Sequence, residues 1–143
     1  MQIRKMTIND YEGVYHLWCN TSGMGMRSLD DSKEGIAIYL NRNPETCFVA
    51  ESENKFIGVI LSGHDGRRGY IYHIAVNDIV RKQGIGTALV NTSIEALKEQ
   101  EINKVALVVF RSNKLGNSFW EARDFKSRND LVYRNKSLND DNI

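Results

Sequence analysis

The stretch DIVRKQGIGTAL, Asp78 to Leu89, sets Gly84 and Gly86 one residue apart, behind Arg81 and Lys82. Beyond it Ile85, Ala88, Leu89, Thr92 and Ala96 recur on one face, so a helix begins here. Glycines lacking Cβ let exposed N–H groups approach an anion, and a helix start adds partial positive charge. Three mechanisms use such a turn. A dinucleotide fingerprint needs Gly or Ala three residues after Gly86, where Leu89 stands. A phosphate loop of the form Gly-x4-Gly-Lys-Ser/Thr is absent. That leaves a strand-to-helix turn whose amides hold a pyrophosphate, against the plainer alternative of glycines that only start a helix among solvated cations.

Working outward, QIRKM has the alternation of a first strand, and Tyr11, Val14, Tyr15 and Trp18 follow at helical spacing, with Thr7 or Asn9 placed to cap. TSGMGMRS reads as a loop. Ser28-x-x-Asp31 resembles a capping box ahead of a second helix bearing Ile36, Tyr39 and Leu40, which Pro44 stops. TCFVAES and FIGVILSG read as strands, and Asp65-Gly66 turns the chain back into YIYHIAV. After the long helix, KVALVVF lacks alternation and reads as a strand covered on both faces. NKLGNSFWEARDF reads as a helix and LVYRNKS as a closing strand. The last five residues, NDDNI, are expected to fray. Residues 1–143 thus form one domain of the α/β class, a mixed sheet with helices on both faces, in the order β-α-α-β-β-β-α-β-α-β, with room for one further strand.

Composition narrows the partners. The chain has 143 residues, enough for a core without staples, and its 41% hydrophobic and 26% charged residues are ordinary for a globular protein. Nineteen Lys and Arg against eighteen Asp and Glu argue against nucleic acid as a partner. No apolar run approaches the roughly 18 residues needed to span a bilayer, and MQIRKMTIND has no apolar signal core, so no membrane association is expected. Cys19 and Cys47 form no CxxC and read as small core residues in a reducing cytoplasm. His16, His64 and His73 are scattered, so no metal is expected.

The pattern Arg81-x-x-Gly84-x-Gly86, after the strand YIYHIAV and before a helix, resembles the acyl-CoA signature of the GNAT family of N-acetyltransferases. That family's next motif runs Asn, then Ala three on, Tyr seven on, Glu eight on, and Gly-Phe eleven and twelve on. Asn113, Gly116, Trp120, Glu121, Asp124 and Phe125 stand at those offsets here. GHDGRRGYIYHIAV is similar to a subgroup of small bacterial acetyltransferases. The resemblance implies a GNAT-like acyltransferase fold and direct transfer from acetyl-CoA to a primary amine of a small molecule or a protein. A non-catalytic acyl-CoA sensor of the same fold is the alternative.

The resemblance also implies site residues. Ile74, Ala75 and Val76 would border the pantetheine arm, with the Val76 N–H facing the thioester oxygen. Arg81, Lys82, Gln83, Gly84, Ile85, Gly86 and Thr87 would wrap the pyrophosphate, and Asn113 and Trp120 would touch the coenzyme. The position where some relatives carry a Glu base is Tyr70. Strict alternation puts Tyr70 and Tyr72 on one face with Ile74 and Val76 and turns His73 away. Tyr70, Tyr72 and His73 are therefore the catalytic candidates, each weighed against a role as pocket lining or core. Trp120 replaces the family's usual Tyr, whose hydroxyl protonates the leaving thiolate, and an indole N–H only donates. Asp124 replaces a Gly where a left-handed residue suits a helix end. On the acceptor side, the first two helices and their loop would bring Trp18, Met24, Met26 and Arg27. By analogy with relatives the assembly is expected to be a homodimer.

Overall fold

The structure, a computed structural model, describes residues 1–143. Strand β1 (Gln2–Lys5) leads through a 3-10 turn (Ile8–Asp10) into α1 (Tyr11–Cys19) and, after a loop, α2 (Lys33–Arg42). The meander β2 (Phe48–Ser52), β3 (Lys55–His64) and β4 (Gly69–Val76) follows, then α3 (Ile85–Glu99), β5 (Val105–Ala106) and α4 (Lys114–Glu121). The five strands lie in sequence order, antiparallel except for the parallel β4–β5 pair.

Alternation along the strands builds two cores. Val49, Val59, Leu61 and Ala75 pack with Val14, Leu17, Trp18, Ile36 and Leu40 on the α1–α2 face. Phe48, Ala50, Ile60 and Ile71 pack with Ile85, Leu89, Val90 and Trp120 on the α3–α4 face. Gly86 is where α3 meets α4: an added Cβ would come 3.1 Å from the Phe119 ring. Cys47 is buried and its thiol is pushed up to about 12 by desolvation, which makes it inert. Cys19, expected in the core, is exposed, because the helical turn of α1 directs Val14, Leu17 and Trp18 inward and leaves it outside.

A partly buried ion pair closes the first turn. Arg4 grips Asp10 through two nitrogens at 2.8 and 2.9 Å, and the Thr7 amide donates to the same carboxylate at 2.8 Å. Burial alone would raise the Asp10 carboxyl, but Arg4 and Thr7 outweigh it and hold it below its ordinary range. A depressed folded pKa stabilises above the unfolded value, about 3.9, and the contribution disappears as pH falls through the folded pKa. Asp10→Asn should therefore cost about 2 kcal/mol in urea denaturation at pH 7. At pH values well below the unfolded pKa the two proteins should converge.

The structure departs from the sequence reading in four segments. The α2 cap is Ser32, whose Oγ accepts from Gly35 N at 3.0 Å, whereas Asp31 turns its carboxylate elsewhere and leaves the Ser28–Asp31 box unformed. KVALVVF pairs only at Val105 and Ala106, and Val108 and Phe110 are exposed, so a single face is covered. LVYRNKS forms no strand, and Leu131, Val132 and Tyr133 are exposed. The edge it would join turns away, since the Phe110 carbonyl already accepts from Asn113 N and Asn117 Nδ2 at the start of α4. Residues 141–143 do not fray. Asn142 Oδ1 accepts from Leu29 N and Asp30 N at 3.0 and 3.1 Å, and Ser28 Oγ donates to the Asp141 carbonyl at 2.8 Å. Loop 28–30 offers donors that nothing in the tail's own composition could have announced.

Candidate active site

The glycine turn is built from left-handed backbone. Lys82 has φ 67° and Gly84, the N-cap of α3, has φ 77°. For lysine this region is uncommon and costs about 1–2 kcal/mol. The first bond of the helix is Ala88 N to Gly84 O at 3.0 Å, so the amides of Ile85, Gly86 and Thr87 precede it unpaired within the helix. An added Cβ on Gly84 would meet nothing within 4 Å, which leaves open space directly at the helix mouth. Ile85 points its side chain into the core and offers only its backbone.

Charge at this mouth differs from what the local sequence suggested. Arg81 is paired with Asp78 at 2.8 Å, and its Nε reaches the Val76 carbonyl at 3.4 Å. Lys82 and Gln83 are exposed, and Lys82 makes no ion pair. A further cation arrives from α4's end. Arg123 lies over the Phe119 ring at 3.6 Å and donates through Nε to Thr87 Oγ1 at 3.1 Å. Nothing near Arg123 in the chain signals this, because its partner is 36 residues away.

Beside the turn, β4 is open along most of its length. It pairs with β5 only at Gly69 and Tyr70, and no strand covers it beyond. Asn77 N donates to the Ile57 carbonyl at 2.9 Å, so alternation directs the Ala75 backbone groups toward β3 and those of Ile74 and Val76 toward the open side. Ala75, expected to border that side, is tied instead into the sheet, with its methyl group in the α1–α2 core.

A bulge in β4 rewrites which side chains share a face. Leu61 pairs with His73 but Ser62 pairs with Ile71, leaving Tyr72 as an extra residue. Tyr72 packs on Tyr39 of α2 with ring centroids 5.6 Å apart, and His73 packs edge-on against Trp18 of α1 at 5.1 Å. Ile71, Ile74 and Val76 face the α3 core. Tyr70, 4.7 Å from Tyr72 by ring centroids, therefore lies with Tyr72 and His73 and not with Ile74 and Val76. The expected division by simple alternation is corrected by that one inserted residue. Burial raises the hydroxyl pKa of both Tyr70 and Tyr72, which makes the tyrosinate rarer still at neutral pH.

His73 has a partner the sequence reading did not find. Its Nε2 lies 2.8 Å from Asp31 Oδ1, while Asp31 Oδ2 accepts from Arg27 N at 2.7 Å and its carbonyl accepts from Tyr11 OH at 2.7 Å. Asp31 lies 42 residues away and looked like a helix cap, so only the folded chain shows the pair.

The acceptor-side residues separate. Met26 and Arg27 line a cavity of about 460 Å³ with Tyr11, Tyr15, Ser28, Asp31 and Lys33. Met24 packs against the α1–α2 core. Trp18, expected in the wall, is 1% exposed and belongs to the core, because the helical repeat of α1 turns it onto β4. The backbone at Gly23 lies against Asn113, where an added Cβ would be 3.2 Å from Nδ2, so the loop reaches the start of α4. Asn113 itself caps α4, its Oδ1 accepting from Gly116 N at 2.9 Å. Trp120 is 7% exposed between Phe119 and Phe125, so little of its surface is free for a coenzyme. Asp124 has φ 63°, the left-handed end that its position requires. No group of three or more His, Cys, Asp or Glu is arranged to hold a metal, and no helix is long and apolar enough to cross a membrane.

A mixed sheet opening between its parallel strands, with an amide-rich turn at the opening, defines an acyltransferase type of site. The description Acetyltransferase (GNAT) family matches residues 11–125, and the chain belongs to that family of N-acetyltransferases. An acetyltransferase of Sodalis glossinidius is 29% identical over 143 residues, 99% of this chain and 98% of that protein. Among solved structures, an aminoglycoside acetyltransferase from an uncultured soil sample superposes with TM-score 0.75 at 24% identity, covering 96% of both chains. The PaiA N-acetyltransferase of Thermoplasma acidophilum, in complex with coenzyme A, gives TM-score 0.74 at 20% identity, covering 85% of this chain and 87% of that one.

Proposed function

We propose that the protein transfers acetyl directly from acetyl-CoA to a primary amine, of a small molecule or of a protein. The observation that carries this reading is the pair of left-handed residues Lys82 and Gly84 opening onto α3, next to the uncovered length of β4. Pyrophosphate would sit on the amides from Lys82 to Thr87, with Lys82 and Arg123 adding charge. Pantetheine would pair with the outward groups of Ile74 and Val76, as an added strand does. The Val76 N–H would then face the thioester oxygen and stabilise the oxyanion as the amine attacks. The carbonyl carbon gains the C–N bond, the C–S bond breaks, and the proton lost by the amine must reach a base. Asn113 would flank the arm, to which Trp120 offers little surface, and Met26 and Arg27 would wall the acceptor. Relatives of the same fold act on aminoglycosides and on a ribosomal protein's alanine by their names, which spans both acceptor classes.

Saturating acetyl-CoA should raise the melting temperature by the equivalent of about 2.7 kcal/mol at a hundredfold excess over Kd. No shift, or an equal shift with ATP, would overturn coenzyme binding at this turn. Thiol release across a panel of small amines and N-terminal peptides then reads the acceptor class. A shift with no release for any amine would return the sensor alternative.

A further inference from the structure

We infer that His73 is the base that receives the amine proton and that Asp31 is the residue that positions it. The inference rests on the acetyl-transfer reading and adds to it the proton's path. Three polar side chains of β4 lie on the α1–α2 side of the sheet: Tyr70, Tyr72 and His73. The tyrosines are poor bases, since burial raises their pKa values and a base must be deprotonated to act. Imidazole is the side chain suited to take a proton near neutral pH.

The geometry around His73 goes further than elimination. An ionised carboxylate only accepts, so Nε2 carries the hydrogen it shares with Asp31. Nδ1 is then the ring atom with a free lone pair. It makes no hydrogen bond within the protein, and it is not among the buried polar atoms left without a partner, so it reaches solvent. A histidine serving only the core would have both nitrogens satisfied or sealed. Here one is saturated by a 6%-exposed carboxylate and the other is open in a side chain only 10% exposed.

Asp31 is held as firmly as it holds. Its second oxygen is taken by the Arg27 amide and its carbonyl by Tyr11, so the carboxylate cannot swing off the ring without breaking the loop. The groups against the imidazole are Asp31 from the loop, Trp18 from α1, Leu61 across β3 and Tyr72 beside it; among these Asp31 is the charged one. Asp31 is also one of the residues lining the cavity beside Met26 and Arg27. The amine proton passes to Nδ1, directly or through one water, Asp31 balances the imidazolium, and the ring returns the proton to solvent after amide and CoA have left. Neither oxidant nor metal is required.

The test uses the full chain and three readouts. With the amine that gives the highest thiol release, His73→Gln should lower kcat about 10²-fold or more. Its acetyl-CoA melting shift should stay that of the wild type, and the acid limb of its pH–rate profile should disappear. Asp31→Asn should lower kcat about tenfold with the melting shift retained, and Asp31→Glu should recover part of the loss. Nitrogen NMR of the wild-type ring should show hydrogen on Nε2 and a bare Nδ1, and this readout needs no acceptor. An Nδ1–H tautomer, or a His73→Gln enzyme with unchanged kcat and acid limb, overturns the inference while leaving acetyl transfer intact. Loss of activity equal at every pH, with a normal limb, assigns both residues to structure alone and also overturns it. Absence of any acetyl-CoA shift in the wild type removes the underlying reading instead. If His73→Gln does not fold, the tautomer and the Asp31 pair still decide.

Discussion

Gly84→Glu should abolish the rise in melting temperature that acetyl-CoA gives the wild-type protein. Two effects of the substitution must be separated. The backbone at Gly84 has φ 77°, so any side chain there is strained, by about 1–2 kcal/mol. The space around it is empty, so the side chain itself meets no obstacle and projects into the mouth of α3. A carboxylate there competes with phosphate for the amides of residues 85–87 and repels it. Gly84→Asn supplies the control, because asparagine tolerates the left-handed region and brings no charge. The asparagine variant should keep most of the shift, at a basal stability no lower than that of the glutamate variant. Differential scanning fluorimetry with and without acetyl-CoA measures both. Equal shifts in glutamate variant and wild type would show that the turn does not hold the pyrophosphate.

Trp18→Ala should destabilise the protein by about 3–5 kcal/mol, which for a domain of this size approaches unfolding. Trp18 is 1% exposed and packs between α1 and β4, against His73. Removing it opens a cavity in the α1–α2 core, which the surrounding close packing can refill only in part. Its indole N–H is buried without a partner, which already costs stability. Trp18→Phe should therefore be far milder than Trp18→Ala, because the lost volume is partly offset by losing the orphaned donor. Urea denaturation of the three proteins checks the order. A substrate-wall role would have given the opposite pattern, a raised KM with unchanged stability.

Much of the fold was legible because it depends on local chemistry. Strand-forming runs marked β2, β3 and β4, helical repeat marked α1 and α3, Pro44 marked the end of α2, and Asp65-Gly66 marked the turn between β3 and β4. The turn that opens α3 was legible from its two glycines, and the left-handed end at Asp124 from its position, but the left-handed angle of Lys82 was not, because lysine carries no such signal. What failed did so where one residue's partner is distant. Two-residue alternation along YIYHIAV misassigned a face because the bulge at Tyr72 is set by pairing with β3. LVYRNKS has strand composition, but a strand exists only if an edge accepts it, and the Phe110 carbonyl is spent on α4.

By itself the sequence determined the family, the order of most elements along the chain and the glycine turn that opens α3, because a glycine turn and a helix start are complete within a dozen residues. Only the tertiary structure decided what surrounds the chemistry. It put Arg123 on Thr87, withdrew Trp18 into the core and set Asp31 against His73. Those pairings join residues tens of positions apart, and no local spacing encodes them. They follow from which faces the two cores bury and from one bulge in β4.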